Sequence, residues 1–420
     1  MIQPGSAGWI NKYFDLVEKQ VIQLEVNRPE ELGVDHFLHL TFGHTGIIFG
    51  YPNSLIFAKN LDTSKWTVEE NLKMLLFESH LLVFLLKNEK SANIKEDFIN
   101  SLLVFYGKHN SYSITKIFTF FLKESNVEKL ENILVKRLEI KMKLLDNKLW
   151  VNYLSNVFVY LDVILFHDNL KGKKRGDFSN YSDLAMDSLT AISISAFSDG
   201  VVEDQEKSMF NIFLASANLP DKKRDLVIKQ LKTGETIQYL SPSIQKNWLF
   251  KRFILDISAL TILANIEAVP EEKLFLTSFC EFLEIPAKEL DETLVMVGSF
   301  VLNNNKKVPF LKNSSSYEKM FSSFSRRWIK VLGRSKDKLG QEIKQSKELV
   351  FLIKKSTTKE LTKEEKEIVK VQFLDIAKSM PALAIFMLPG GALLLPLLLK
   401  ILPDLLPSAF RDNEIDKEKK

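Results

Sequence analysis

Between Ser379 and Leu399 the chain runs for 21 residues without a charge, and Pro381, Pro389 and Pro396 break that run. An unbroken helix of that length rises about 30 Å, the thickness of a bilayer's hydrocarbon core. Each proline removes a backbone donor, and Gly390-Gly391 adds a flexible joint. A carbonyl freed in lipid must find another partner. Three structures therefore stay open for the segment: one kinked span, a re-entrant hairpin hinged at Gly390 and Gly391, or a hairpin buried against other helices. After Lys400 the pattern continues through Pro403 to Pro407. The membrane segment is drawn at 380–407 and marked by Pro381, Pro389, Gly390, Gly391, Pro396, Pro403 and Pro407.

Elsewhere apolar residues recur at helical spacing, and strict alternation is rare, which predicts an all-α chain of several helical bundles. At 420 residues it is too long for one core. The 31 Phe against 9 Tyr and 5 Trp argue for dry helix–helix contacts rather than stacking on nucleobases. The net charge of +4 gives no reason to expect DNA. Cys280 is the single cysteine, so no intrachain disulfide can form, and its apolar surroundings read as core. The first nine residues carry neither a basic n-region nor an apolar h-region, which predicts that most of the chain stays in the cytoplasm.

Helices are expected at 9–24, 67–87, 94–106, 114–124, 127–145 and 149–166, forming an N-terminal domain, 1–170, of no assigned role. Thr67-Val68-Glu69-Glu70 opens the second as a capping box, and Leu75–Leu86 is apolar nearly all round, a central core helix. The basic stretch Lys171–Gly176 lacks phosphate-loop spacing and reads as a linker. A second helical domain, 177–302, should carry helices at 184–198, 204–217, 222–231, 244–266, 271–283 and 289–302. A linker at 303–316, a basic helical region at 317–379 and a charged tail at 408–420 complete the division.

No nucleotide fingerprint, no GxSxG and no paired carboxylates at catalytic spacing stand in the sequence, so a non-enzymatic protein without a cofactor is expected. His36 and His39 share a helix face, but no matching cysteine or HExxH accompanies them, and hydrogen-bonded histidines are the simpler reading. The strongest charge signal lies between Arg326 and Lys359, where 11 basic residues face three acids. Arg326, Arg327, Lys330, Arg334, Lys336, Lys338, Lys354 and Lys355 are the candidates for contact with anionic lipid head groups or RNA phosphate. Thr362-Lys363-Glu364-Glu365 is a further capping box whose helix leads into the apolar run.

Two family resemblances follow. Ala191–Glu206, where an apolar helix ends in Asp199-Gly200 and the next begins with acids, resembles the TerB family of tellurite-resistance proteins, as does Leu260–Glu272 more weakly. That implies an all-helical central bundle. Asp199 and Glu206 are weak candidates for a hard cation, set against a plain helix–turn–helix elbow with acids in a first turn. Leu352–Thr358, Leu361–Glu365, Asp375–Pro381 and Leu394–Phe410, with prolines spaced up to Leu406-Pro407-Ser408-Ala409-Phe410, resemble the Letm family of mitochondrial inner-membrane proteins. The resemblance implies a membrane segment, a link to ribosomes and a role in cation/proton exchange. It also implies that most of the family's ribosome-binding domain is lacking, since in the family that domain follows this segment. Both resemblances together, without mitochondrial targeting, point to a bacterial protein on the cytoplasmic face of the inner membrane. The expected role is a membrane-tethered scaffold or ion- and stress-homeostasis factor with membrane lipids as partner. The alternatives are a ribosome-binding adaptor, or a component of a cation/proton antiport system working with other membrane proteins.

Overall fold

The computed structural model describes residues 2–88, 91–108, 125–140, 156–172, 181–234, 237–263, 270–304, 307–308, 311, 326–327, 330–334, 336–378 and 399. Among them there are helices, turns and loops, and no strand. The all-α expectation holds. The helices are α1 (Trp9–Glu18), α2 (Val34–Thr45), α3 (Val68–Lys87), α4 (Ile94–Lys108), α5 (Asn126–Leu138), α6 (Val159–Leu170), α7 (Tyr181–Ala196), α8 (Asp204–Ala217), α9 (Asp221–Thr233), α10 (Trp248–Leu263), α11 (Pro270–Phe282), α12 (Ala287–Asn304), α13 (Lys336–Gln345), α14 (Lys347–Thr358) and α15 (Lys363–Lys378). The expected helix at 114–124 lies outside the described residues, as do 141–155 and residues 173–176 of the linker read at Lys171–Gly176.

α3 is the axis of the N-terminal half. Thr67 accepts from the Glu70 N–H and Glu70 reaches back to the Thr67 N–H, so the helix starts where the capping box places it. Every residue from Leu72 to Leu85 is buried, with α6, α5, α4 and α2 packed round it. Such burial encloses Glu78. Its carboxylate accepts from the N–H groups of Ile56 (2.6 Å), Phe57 (3.1 Å) and Ala58 (2.9 Å) and from the Tyr13 hydroxyl (3.0 Å), pinning a loop and α1 to α3. Burial still raises its pKa above the ordinary carboxylate value. His80 Nδ1 lies 2.7 Å from the Leu76 carbonyl, so that nitrogen carries the proton, and burial brings its pKa down to about 4.

The segment α2 has no counterpart among the expected helices. It follows Gly33, ends at the left-handed Gly46 (φ 83°) and is buried on most sides. Gly43 allows its approach to α12, since a Cβ there would stand 1.9 Å from Met296 Sδ. α2 packs on α10 and α12, and α6 packs on α7 and α10, so contacts cross the division at 170. The buried apolar residues form one cluster running from Ile2 to Phe373.

Several polar side chains inside this core pair with one another. Arg137 and Asp162 form a bidentate pair with both contacts at 2.6 Å, and the Tyr106 hydroxyl donates to the same carboxylate. Between α2, α10 and α12, His39 Nε2 lies 2.7 Å from Asp256, whose other oxygen accepts from Thr293 Oγ1. Arg252, fully buried, donates to Thr293 and to Glu289. His36 faces Glu292 at 3.5 Å. The two histidines of the shared face thus each meet a carboxylate.

Candidate functional site

The basic run between Arg326 and Lys359 is built on two supports. The first is α12. Lys330 Nζ sits 3.0 Å from Asp291, Arg334 reaches the same carboxylate, and a second Arg334 nitrogen donates to the Lys288 carbonyl at 3.0 Å. These two cations hold residues 330–334 against α12. Arg326 is exposed and Arg327 half-buried, and among the described residues neither makes an ion pair or hydrogen bond. Burial, with Arg326 beside it, lowers the Arg327 pKa, against the pull of Asp291.

The second support is a three-helix unit, α13–α14–α15, in which each helix packs on the other two. Leu339, Ile343, Leu349, Leu352, Ile353, Leu361, Val369 and Phe373 fill its centre. Ser346 caps α14 by accepting from the Leu349 N–H, and its hydroxyl also donates to Gln372 on α15. The Thr362 capping box is present: Thr362 N–H donates to Glu365 at 3.0 Å and Glu365 N–H to Thr362 Oγ1 at 3.2 Å. Lys355 pairs with Glu365 at 2.6 Å, tying α14 to α15.

The eight cationic candidates therefore separate. Lys330, Arg334 and Lys355 form ion pairs, Lys330 and Arg334 from exposed positions. Arg326, Lys338 and Lys354 are exposed, Arg327 is half-buried, and Lys336 opens α13. Exposed Lys347 and Lys359 extend the same positive surface. Phe351 and Val371 also stand exposed on α14 and α15, at 64% and 48%. The anchoring role of Asp291 had no signal in the sequence, because it lies some 40 residues from the cations it holds.

α15 ends at Lys378, one residue before the uncharged run begins. The membrane segment's Pro381, Pro389, Gly390, Gly391, Pro396, Pro403 and Pro407 all lie outside the described residues. Within 380–407 only Leu399 is described, half-buried and packed against the core. Among the described residues no helix is long and apolar enough to cross a membrane.

Asp199 and Glu206 serve the elbow between α7 and α8. Asp199 accepts from the Val201 N–H at 2.9 Å, Gly200 adopts φ 88°, and Glu206, 2% exposed, accepts from the Glu203 N–H at 2.9 Å. No group of three or more His, Cys, Asp or Glu among the described residues could hold a metal ion. Cys280 is buried, and burial pushes its thiol up to about 12, far from a nucleophile's range.

Residues 361–420 match the family model described as LETM1-like, RBD. The match begins at Leu361, takes in all of α15 and continues through the uncharged run. It supports a Letm-family relationship over that stretch, where the sequence resemblance also lies. The initials stand for a ribosome-binding domain. That name falls on residues 380–407, which by the Letm resemblance form the family's membrane segment. No curated protein and no solved structure matches the chain. The described part of the Letm-like stretch is α15 with its lead-in from Leu361, packed on α13 and α14, which carry exposed Lys338 and Lys347.

Proposed function

We propose that this chain is a non-enzymatic helical protein that associates with a membrane through its Letm-like C-terminal stretch. Residues 380–407 act as the tether, and exposed Lys338, Lys347 and Lys359 lie against anionic head groups. The observation that carries this reading is the Letm-like match at 361–420, which contains the 21-residue uncharged run directly after α15. Each lysine near an anionic surface contributes about 1 kcal/mol, so Lys338, Lys347 and Lys359 together give a substantial, salt-sensitive contribution. A scaffolding or ion- and stress-homeostasis role on the cytoplasmic face of a bacterial inner membrane is the corresponding cellular reading.

A second reading is favoured by the family description itself: a ribosome-binding adaptor, with the same cations on RNA phosphate. Cell fractionation separates the two. After lysis and an alkaline wash, the tethered protein stays in the membrane pellet whether or not ribosomes are stripped with EDTA. Loss from the membrane on ribosome removal, with co-sedimentation that fades steeply with salt, supports the adaptor instead. Recovery in the soluble fraction without ribosomes contradicts both.

A further inference from the structure

A crevice of about 510 Å³ opens between α11, the turn into α12, α12 itself and the side chains of Arg326, Arg327 and Lys330. Its floor is apolar: Leu276, Cys280, Ile285, Leu290 and Leu294. Leu276, Cys280, Ile285 and Leu294 are buried and Leu290 half-buried, so the surface is a formed wall rather than scattered exposed side chains. The rim is cationic, carrying Arg326, Arg327 and Lys330. Two carboxylates share that rim, Asp291 and Glu281. Asp291 pairs with Lys330 and Arg334 and also attracts Arg327 at longer range, while Arg326 and Arg327 stand close together with no ion pair or hydrogen bond of their own among the described residues. Half-burying a guanidinium beside another of like charge is unfavourable unless an anion arrives. A site of this volume, apolar below and charged at one edge, has the form of a small-ligand pocket.

We propose that this crevice binds a single-chain fatty-acid anion, its carboxylate between Arg326 and Arg327 and its acyl chain along Leu276, Ile285, Leu290 and Leu294. Arginine suits the head group because its planar fork can meet both carboxylate oxygens. The dry floor suits the tail because each buried methylene contributes roughly fourfold in affinity. The site is separate in sequence from the 380–407 tether, and it stands or falls independently of membrane association.

Calorimetric titration of the full chain with monomeric dodecanoate tests it. The expected result is one saturable site, with decanoate about 15-fold weaker and dodecanol at least tenfold weaker for want of the charge. The double variant Arg326→Gln/Arg327→Gln should lose tenfold or more for dodecanoate while its dodecanol affinity is unchanged. Ala287→Trp, which narrows the crevice from an exposed position at the start of α12, should abolish binding of both. Vesicles of phosphatidylglycerol should not compete with dodecanoate. Unsaturable uptake, equal affinity in Ala287→Trp, indifference to the arginines, or displacement by the vesicles overturns the proposal. Thermal melts of each variant confirm that the fold is retained, and should Ala287→Trp not fold, Thr277→Trp on the opposite wall serves the same purpose.

Discussion

At the residue scale the fold depends on a few buried polar groups, and Glu78 is the one most fully surrounded by partners. Glu78 has four donors around one carboxylate, and removing it strands three backbone N–H groups and a hydroxyl in an apolar core. Glu78→Ala should cost about 3 kcal/mol in urea unfolding; a cost below about 1 kcal/mol would show that water replaces the carboxylate. His80 gives a pH signature with a definite sign. Burial holds its folded pKa at about 4, whereas the unfolded chain titrates near the ordinary 6.5. The stability it confers is therefore complete above 6.5 and is lost as pH falls toward 4. The stability gap between the native chain and His80→Gln should narrow over that interval, and a constant or widening gap contradicts the assignment. Asp35 behaves in the opposite acid range. Burial works to raise its pKa, but hydrogen bonds from His167 and Lys171 outweigh that and bring it to about 2. Its contribution is present above the ordinary value of 3.8 and fades as pH falls toward 2, so an Asp35→Asn variant should differ from the native chain at pH 6 and converge with it near pH 2. None of these pairings was legible in the sequence, because Asp35 meets His167 and His39 meets Asp256 only after the bundle closes.

At the scale of elements, the helices with caps and clear periodicity were legible. Thr67 and Thr362 each fix a start, and the expected helix at 204–217 coincides with α8. The segment 9–24 shows why ends are harder. Its apolar spacing continues past Glu18, but Gln20 turns left-handed at φ 57° and closes α1 early. α2 was missed for a different reason. It is short and lacks a side-chain cap, so apart from the shared face of His36 and His39 little in the sequence marks it, and the contact of Gly43 with Met296 reveals what it packs on. A bulkier side chain there should separate α2 from α12: Gly43→Leu is expected to destabilise the chain by about 2–3 kcal/mol, where an exposed glycine such as Gly33 would tolerate the same change far better. Thr362→Ala should cost about 1 kcal/mol, read as faster amide exchange confined to the first turn of α15. Exchange unchanged in that turn would show that packing alone holds the helix start.

At the scale of the whole molecule, a continuous helical core carries, at its C-terminal end, a small basic three-helix unit that leads directly into the Letm-like uncharged run. The charge pattern and the run were both visible in the sequence. Which cations enter ion pairs was not, since that depends on Asp291 and Glu365 lying close to Lys330, Arg334 and Lys355. The exposed lysines should set the strength of attraction to anionic lipid and the run should set its persistence. Lys338→Glu/Lys347→Glu is therefore expected to weaken binding to anionic vesicles at low salt by one to two orders of magnitude, while leaving high-salt retention intact. The most direct measurement is flotation with phosphatidylglycerol-containing vesicles at high salt, comparing the full chain with one ended at Lys378. The full chain should float with the vesicles and the shortened chain should stay at the bottom of the gradient. If both chains float alike, or neither does, residues 380–407 do not hold this protein to a membrane.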